Sequence, residues 1–389
     1  MTAMTAAAAH ADVTIRLEAP PGIDEDASIY FASNLNGWNP GDEAFRLSPV
    51  RTETKRLVWE LQLPRATIEK ASRVEFKFTR GDWGSVEIDE EGRDVSNRVL
   101  PPLDEIDESI VAFSVARFRS GESAPARRST VTGTLVIQSF TSDAIGGERT
   151  LRIWLPPGYE RNEDRRYPVL YMHDAQNVFD AATSTVGKEW EADETATRLI
   201  EAREIPPMII VAVDHGGVNR AREYNPQYTT FNGLRNYGDR HVRMLVDEIV
   251  PFINTVYRTK TGPEHTALGG SSFGGNSTLH TVMSRPGVFG AILVESPASL
   301  IDDGKLVDAV EKFNQWPRRV FVGMGTKETG DAEYNDALVR LTERYREIFE
   351  AAGLGDDRLK IVIEEGAVHD EGAWARRLPD AMRFLFSAD

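Results

Sequence analysis

The sequence predicts two domains, an all-β domain followed by a larger α/β domain with a mainly parallel sheet. Short β-rich runs fill the first third of the chain, whereas apolar runs alternate with helix-length amphipathic stretches through the remainder. The length agrees with this division, because 389 residues exceed what one hydrophobic core usually organises.

The first domain, residues 13–117, is predicted to be an immunoglobulin-like β-sandwich. Turn-forming pairs such as Asn36-Gly37 and Gly81-Asp82 separate its short runs of β-forming residues. Runs of this length and spacing are typical of an antiparallel sandwich. The runs are VTIRLEAP, SIYFASNL, RLVWELQLP, RVEFKFTRG and IVAFSVARF.

The segments on either side of this domain are predicted to be irregular. Residues 118–131 are polar and contain Pro and Gly, which indicates a linker. Residues 1–12 are predicted to be a disordered tail or a signal remnant, because Ala9-His10-Ala11 resembles a cleavage site but follows no complete signal. A remnant would favour a periplasmic or secreted protein over a cytoplasmic one.

The second domain, residues 132–389, contains apolar runs of the kind found in buried parallel strands. An amphipathic helix is predicted between two of them, where apolar residues recur at helical spacing at positions 242, 245, 246, 249 and 253. Alternating strands and helices predict a mainly parallel sheet. The runs are PVLYM (168–172), MIIVAV (208–213), TALGG (266–270), AILVES (291–296), VFVGM (320–324) and KIVIEE (360–365).

Composition excludes several classes of function. A formal net charge of −16 disfavours binding to nucleic acid or to an anionic membrane surface. It also disfavours strongly anionic substrates unless a local basic pocket offsets it. The absence of cysteine excludes disulfides, thiolate metal sites and cysteine nucleophiles. No cofactor is predicted.

The segment ALGGSSFGG carries the strongest catalytic signal. It matches G-x-S-x-G with Ser272 at the centre, and a strand-like run precedes it while a helix-like run follows. Glycine two residues before and after the serine permits the sharp turn that exposes a nucleophile. A phosphate-binding loop is excluded, because no Gly-Lys-Ser/Thr follows the glycines.

A serine nucleophile needs a histidine base and an acid, which follow it in the order serine, acid, histidine in this type of fold. His369 is the one histidine in a suitable place, in the loop between the last strand and the last helix. Glu328 is the predicted acid because it lies nearest to a strand end. Asp331 is its main rival.

An oxyanion formed during acyl transfer needs two N–H donors. One is predicted at Phe273, directly after the nucleophile, and the second in the region of Asp174 and Ala175. His173-Asp174 does not predict a metal site, because no further ligand stands at suitable spacing.

These motifs together resemble the putative-esterase family of α/β-hydrolases over residues 132–389. The resemblance rests on YMHDAQNVFD, VDEIVPFINTVYRT, ALGGSSFGG, GTKE and GAVHDEGAWARRLP. The family includes siderophore esterases, feruloyl and acetyl carbohydrate esterases, S-formylglutathione hydrolase and mycolyltransferases. The resemblance implies a nucleophilic Ser272, a basic His369 and an acidic Glu328. Ala175 departs from the family, whose members often have glycine there.

The first domain resembles starch-binding or glycogen-binding sandwich modules through ASNLNGWNP, VEFKFTRGDWGSVE and GRDVSNR. That resemblance implies sugar stacking on Trp38 and Trp83. Packing of both tryptophans in a core or between domains is an equal alternative, in which the domain serves as a lid or dimerisation element. A homodimer is left open.

The resulting expectation is a serine esterase acting on an acylated carbohydrate, a feruloyl or acetyl ester. A siderophore ester is the alternative substrate, and a non-catalytic glycan-binding protein on a hydrolase scaffold is the alternative class. Trp190, Arg220 and Tyr224 are expected to shape the substrate pocket, although Trp190 also suits a core position.

Overall fold

The computed structural model describes residues 12–18, 22–52, 56–71, 73–89, 94–103, 106, 110–119, 128–184, 187–231, 234–300 and 304–387. The chain divides into two compact units, residues 1–126 and 127–389. The predicted tail lies outside the described residues except for Asp12, and so do residues 120–127 of the predicted linker.

The first unit is β-rich, as predicted. Its main sheet has the order β7-β5-β2-β3-β4-β1-β8, and every pair is antiparallel except β1 with β8. The elements are β1 (Val13–Glu18), β2 (Ile29–Ser33), β3 (Arg46–Arg51), β4 (Leu57–Leu63), α1 (Arg65–Ile68), β5 (Glu75–Thr79), β6 (Glu87–Ile88), β7 (Arg98–Val99), β8 (Ile110–Ser114) and β9 (Arg117–Phe118).

Strand β3 joins the two halves of this arrangement. Its first residues pair with β2 and its later residues pair with β4. Alternating side chains of β1 and β4 share one apolar core with aromatic side chains of β2 and β5, among them Phe31, Phe76 and Phe78. The unit therefore buries its apolar surface between its own strands.

The second unit contains the predicted α/β fold. Its strands are β10 (Thr134–Ser142), β11 (Gly147–Leu155), β12 (Val169–His173), β13 (Ile209–Val213), β14 (Thr230–Phe231), β15 (Leu234–Arg235), β16 (Thr266–Ser271), β17 (Ala291–Glu295), β18 (Arg319–Gly325) and β19 (Leu359–Glu364). Its helices are α2 (Ala192–Glu201), α3 (Arg220–Tyr224), α4 (Gly238–Arg243), α5 (Val250–Val256), α6 (Phe273–Ser284), α7 (Lys305–Lys312), α8 (Ala332–Ala351) and α9 (Glu371–Phe386).

The main sheet of this unit has the order β10-β11-β13-β12-β16-β17-β18-β19. All six apolar runs singled out in the sequence form its parallel strands, namely β12, β13, β16, β17, β18 and β19. The sequence analysis missed β10 and β11, which pair antiparallel at one edge. It also missed the π-helical turn Met244–Ile249 that joins α4 to α5.

Helices cover both faces of this sheet. Alternate strand residues such as Leu170 and Met172 pack with α2 and α9, whereas Val169 and Tyr171 face the opposite core. This two-sided burial explains why the strands are continuously apolar. Within the described residues, no helix is both long and apolar enough to cross a membrane.

Candidate active site

Ser272 stands at the turn from β16 into α6. Its backbone has φ 56° and ψ −125°, a conformation that a residue with a side chain rarely adopts. The Ser272 N–H donates to the Glu295 carbonyl at 2.9 Å, which fixes the turn to the end of β17. Ser272 is half-buried, whereas the adjacent Ser271 is buried.

The two glycines around Ser272 are sterically required. A Cβ at Gly270 would lie 2.9 Å from both the Gly274 backbone and the His173 ring. A Cβ at Gly274 would lie 3.1 Å from Asp174 Oδ2. The loop after β12 therefore packs directly against the turn, and the glycines make this approach possible.

Glu328 and His369 meet at the same edge of the sheet, because β16, β18 and β19 are parallel and each residue lies at or just beyond a strand end. The His369 Nδ1 donates to Glu328 Oε2 at 2.5 Å. Glu328 is buried, and 35% of the His369 side chain is exposed. Asp331 instead caps α8, where its carboxylate accepts the Tyr334 N–H at 3.1 Å.

Hydrogen bonds hold the Glu328 carboxylate in its ionised form. Burial acts to raise its pKa, but the hydrogen bonds from His369, Ser296 and the Gly325 N–H outweigh burial and lower the pKa below its ordinary value. Ser296 Oγ and the Gly325 N–H donate to Glu328 Oε1 at 2.7 Å and 2.6 Å. A lowered pKa keeps the carboxylate charged beside the imidazole.

Ser296 and Trp374 belong to this network, and the sequence analysis did not identify them as site residues. Trp374 Nε1 donates to Ser296 Oγ at 3.0 Å, and its ring stands edge-on to the His369 ring at 5.2 Å. Both had a positional signal: Ser296 follows β17 directly, and Trp374 closes the segment GAVHDEGAW.

Asp174, in the loop after β12, is paired with Arg220. The guanidinium donates to both carboxylate oxygens, at 2.6 Å and 2.7 Å. Burial alone would raise the pKa of Asp174, but Arg220 lowers it. The Asp174 N–H donates to Tyr224 Oη at 3.3 Å. Among the described residues, the Ala175 and Phe273 N–H groups have no acceptor.

His173 and His241 lie in the buried layer below this loop. Their ring nitrogens share a hydrogen bond of 3.3 Å. Burial lowers the pKa of His173 to about 4 and that of His241 well below its ordinary value, so both rings are neutral near pH 7. Neither ring contacts the Glu328 carboxylate in the part of the chain that the structure describes.

The structure corrects two predicted pocket residues. Trp190 is only 2% exposed and packs against Trp374 with ring centroids 5.6 Å apart, so it belongs to the core. Tyr224 is completely buried beneath the Asp174 loop. Of the predicted trio, Arg220 alone keeps a partly exposed side chain. The aromatic rings of Trp190 and Tyr224 pack inside the unit and present no exposed face to a ligand.

Trp38 and Trp83 lie in loops of the first unit. Both are half-buried, with ring centroids 6.3 Å apart and planes inclined by 39°. Trp38 follows Gly37 and also has positive φ. The two rings thus form a partly exposed pair, and sugar stacking on them stays a prediction.

A separate carboxylate cluster lies at the beginning of α2. The ligand atoms of Glu189, Asp193 and Glu194 lie within 4.8 Å of one another, the one arrangement among the described residues that could hold a metal ion. Burial raises the pKa of Glu189 to about 7 and that of Asp193 to about 8. The Thr132 N–H and the Thr130 hydroxyl donate to this cluster. The cluster has no described contact with Ser272.

The sheet order, the turn at Ser272 and the chain order of the site residues define an α/β-hydrolase. A solved ferulic acid esterase shares the fold, with a TM-score of 0.50 at 20% identity over 65% of this chain and 98% of that chain. The chain belongs to the family described as Putative esterase, whose profile matches residues 142–385. It is a carboxylic ester hydrolase.

The curated relatives of this chain include two esterases. An endo-1,4-beta-xylanase/feruloyl esterase of Xylanibacter ruminicola is 26% identical over 286 residues, which cover 70% of this chain and 35% of that protein. An iron(III) enterobactin esterase of Dickeya dadantii is 22% identical over 281 residues, which cover 66% of this chain and 55% of that protein.

Proposed function

We infer that the chain is a serine esterase that acts through an acyl-enzyme on acylated carbohydrate, a feruloyl or acetyl ester. Ser272 is the nucleophile, His369 the general base and Glu328 the acid that orients it. The observation that carries this assignment is the 2.5 Å hydrogen bond from His369 Nδ1 to the buried Glu328. It leaves the Nε2 of a partly exposed imidazole available at the edge of the sheet where Ser272 stands.

The reaction follows from these positions. Ser272 Oγ attacks the ester carbonyl while His369 Nε2 takes its proton, and Glu328 stabilises the imidazolium. The tetrahedral intermediate collapses as His369 returns the proton to the departing alkoxide. Water activated by the same histidine then attacks the acyl-enzyme, which releases the acid and restores Ser272.

The Phe273 and Ala175 N–H groups are the proposed oxyanion donors. Phe273 begins α6, so its N–H has no acceptor within the helix and adds the positive end of the helix dipole. Of the two predicted candidates for the second donor, Ala175 is favoured because the Asp174 N–H already donates to Tyr224. The Asp174–Arg220 ion pair would hold this loop in place.

An acylated carbohydrate is favoured as substrate by the xylanase/feruloyl esterase relative and by the resemblance of the first unit to sugar-binding modules. A siderophore ester is the second candidate, favoured by the enterobactin esterase relative. Feruloylated arabinoxylan fragments and a catecholate trilactone should therefore be compared as substrates. A kcat/KM at least tenfold higher for the trilactone would overturn the carbohydrate assignment.

A fluorophosphonate probe tests the nucleophile. We expect labelling of the native chain at Ser272, and Ser272→Ala should abolish both labelling and hydrolysis of p-nitrophenyl acetate. Ser271→Ala is the matched control, because it removes the adjacent buried hydroxyl and should retain both. Hydrolysis by Ser272→Ala at the wild-type rate would refute the mechanism.

A further inference from the structure

A basic groove lies along the side of the second unit beside α6. Its volume is about 1050 Å³. Tyr228, Tyr237 and His280 contribute to its walls together with one carboxylate, Asp239. Its charged lining is dominated by five arginines from α3, β15, α4 and the end of α6, namely Arg222, Arg235, Arg240, Arg243 and Arg285.

The charge of this groove is opposite to that of the chain, whose formal net charge is −16. Arg285 pairs with Asp247 at 3.1 Å. The other four arginines have no carboxylate within ion-pair distance among the described residues, whereas arginines of α8 such as Arg344 and Arg346 are paired. Asp239 adds one negative charge to the groove and accepts from His280 Nε2 at 2.8 Å, so the arginines still outnumber the carboxylates of the lining.

The guanidinium groups are held in place by contacts within the groove. Arg222 donates twice to the Arg235 carbonyl, at 3.1 Å and 2.8 Å. Arg222 and Arg240 both lie against the Tyr237 ring, 4.8 Å and 5.7 Å from its centroid. The hydrogen bond from His280 lowers the pKa of Asp239, and the charges of Arg243 and Arg235 lower it further. Both guanidinium groups therefore face the part of the groove that contains the Asp239 carboxylate. Groups held in this way lose little freedom when a ligand binds.

The β14–β15 hairpin links this groove to the Ser272 turn. Phe231 of the hairpin stands edge-on to Phe273 with ring centroids 5.4 Å apart, whereas Arg235 lines the groove. His280 is eight residues beyond Ser272, about 12 Å along the helix axis. A saccharide bound in the groove must span at least this distance along α6 to place an ester group at Ser272.

We propose that this groove binds the carboxylate of an acidic saccharide, a uronate-bearing part of the substrate. Guanidinium groups match carboxylate oxygens in pairs. Tyr228, 46% exposed, offers an aromatic face for sugar C–H groups, and the exposed Gln227 amide offers hydrogen bonds to hydroxyls. The assignment of the ligand as a saccharide rests on the proposed function, whereas the presence of an anion-binding site rests on the arginines alone.

Calorimetric titration of the full chain at low ionic strength tests the proposal. We expect trigalacturonate to bind and the neutral galactotriose to bind at least tenfold more weakly. Arg240→Gln/Arg243→Gln should weaken trigalacturonate binding at least tenfold and leave p-nitrophenyl acetate hydrolysis unchanged. The matched control is Arg344→Gln/Arg346→Gln, which removes the same charge from α8 and should bind like wild type.

The outcomes separate this inference from the esterase assignment, because binding is measured without turnover. If the chain binds trigalacturonate but its hydrolysis does not depend on Ser272, the groove proposal stands and the esterase mechanism is refuted. Equal binding by the groove variant and wild type would overturn the groove. Binding of inorganic phosphate without binding of trigalacturonate would replace the saccharide carboxylate with a phosphate ligand and overturn the proposal as stated.

Discussion

Two sets of buried carboxylates in the second unit have opposite protonation behaviour. Glu328 receives donors from His369, Ser296 and Gly325, and its pKa is lowered despite burial. Glu189 and Asp193 lie beside each other and Glu194, and burial raises their pKa values to about 7 and about 8. Unlike Glu328, they each keep one oxygen without a partner among the described residues. The hydrogen-bond donors around each carboxylate therefore decide its protonation state more than the extent of its burial does.

The largest expected effect comes from removing the charge at Glu328. Glu328→Gln keeps the size of the side chain but no longer stabilises the imidazolium, so kcat for p-nitrophenyl acetate should fall by about 10³–10⁴-fold. Asp331→Asn is the matched control and should remain within about twofold of wild type, because Asp331 only caps α8. Steady-state kinetics decide the matter, and equal activity of Glu328→Gln and wild type would remove Glu328 as the acid.

The second effect comes from converting a partnered carboxylate into an unpartnered one. Arg220→Met leaves buried Asp174 without its ion pair, which should lower the free energy of unfolding by about 3–5 kcal/mol. Arg220→Met/Asp174→Asn should recover part of that loss, because no charge remains buried. Chemical denaturation measures the free energy of unfolding of both variants. A double variant less stable than the single one would contradict this account.

The carboxylate cluster should make stability depend on pH. Because the folded-state pKa values of Glu189 and Asp193 are raised, the folded chain keeps protons that the unfolded chain releases near pH 4. Their contribution to stability is therefore present at acidic pH and lost as pH rises through about 7–8. Asp193→Asn should flatten this slope and raise the unfolding free energy at pH 8.5 by about 1–3 kcal/mol. Urea unfolding from pH 5 to pH 8.5 tests it, and a wild-type slope retained by the variant would count against the cluster.

The smallest expected effect comes from removing one donor to Glu328. Ser296→Ala deletes a hydrogen bond of 2.7 Å, which is worth about 1 kcal/mol, so kcat should fall by about fivefold. The split between kcat and KM separates positioning from general destabilisation. We expect kcat to fall while KM stays unchanged, and Ser296→Thr should restore part of the activity. A kcat equal to that of wild type would leave Ser296 a packing role only.

The sequence predicts the framework of the second unit well because its signals are local. Six buried strands appear as continuous apolar runs, and the glycines beside Ser272 report the steric demand of a single turn. The antiparallel pair β10–β11 lacks such a signal, since its exposed and buried residues alternate irregularly.

Contacts between distant segments account for what the sequence did not reveal. Ser296 serves Glu328 through a bond that spans 32 positions, and Asp174 meets Arg220 across 46. Trp190 and Tyr224 have the composition of pocket residues, but tertiary packing buries them. The arginines of the basic groove come from four separate elements, so their convergence has no pattern in the linear sequence.

The order of residues at the sheet edge has a consequence in time. Ser272 precedes His369 by 97 positions (369 − 272), so a ribosome adding about 5–20 residues per second completes the nucleophile turn about 5–20 s before it adds the base. A growing chain thus carries its serine long before it can activate it. Under the proposed mechanism, hydrolysis begins only after the segment that carries His369 has been synthesised and folded, which makes activity a report on the formation of β19 and α9.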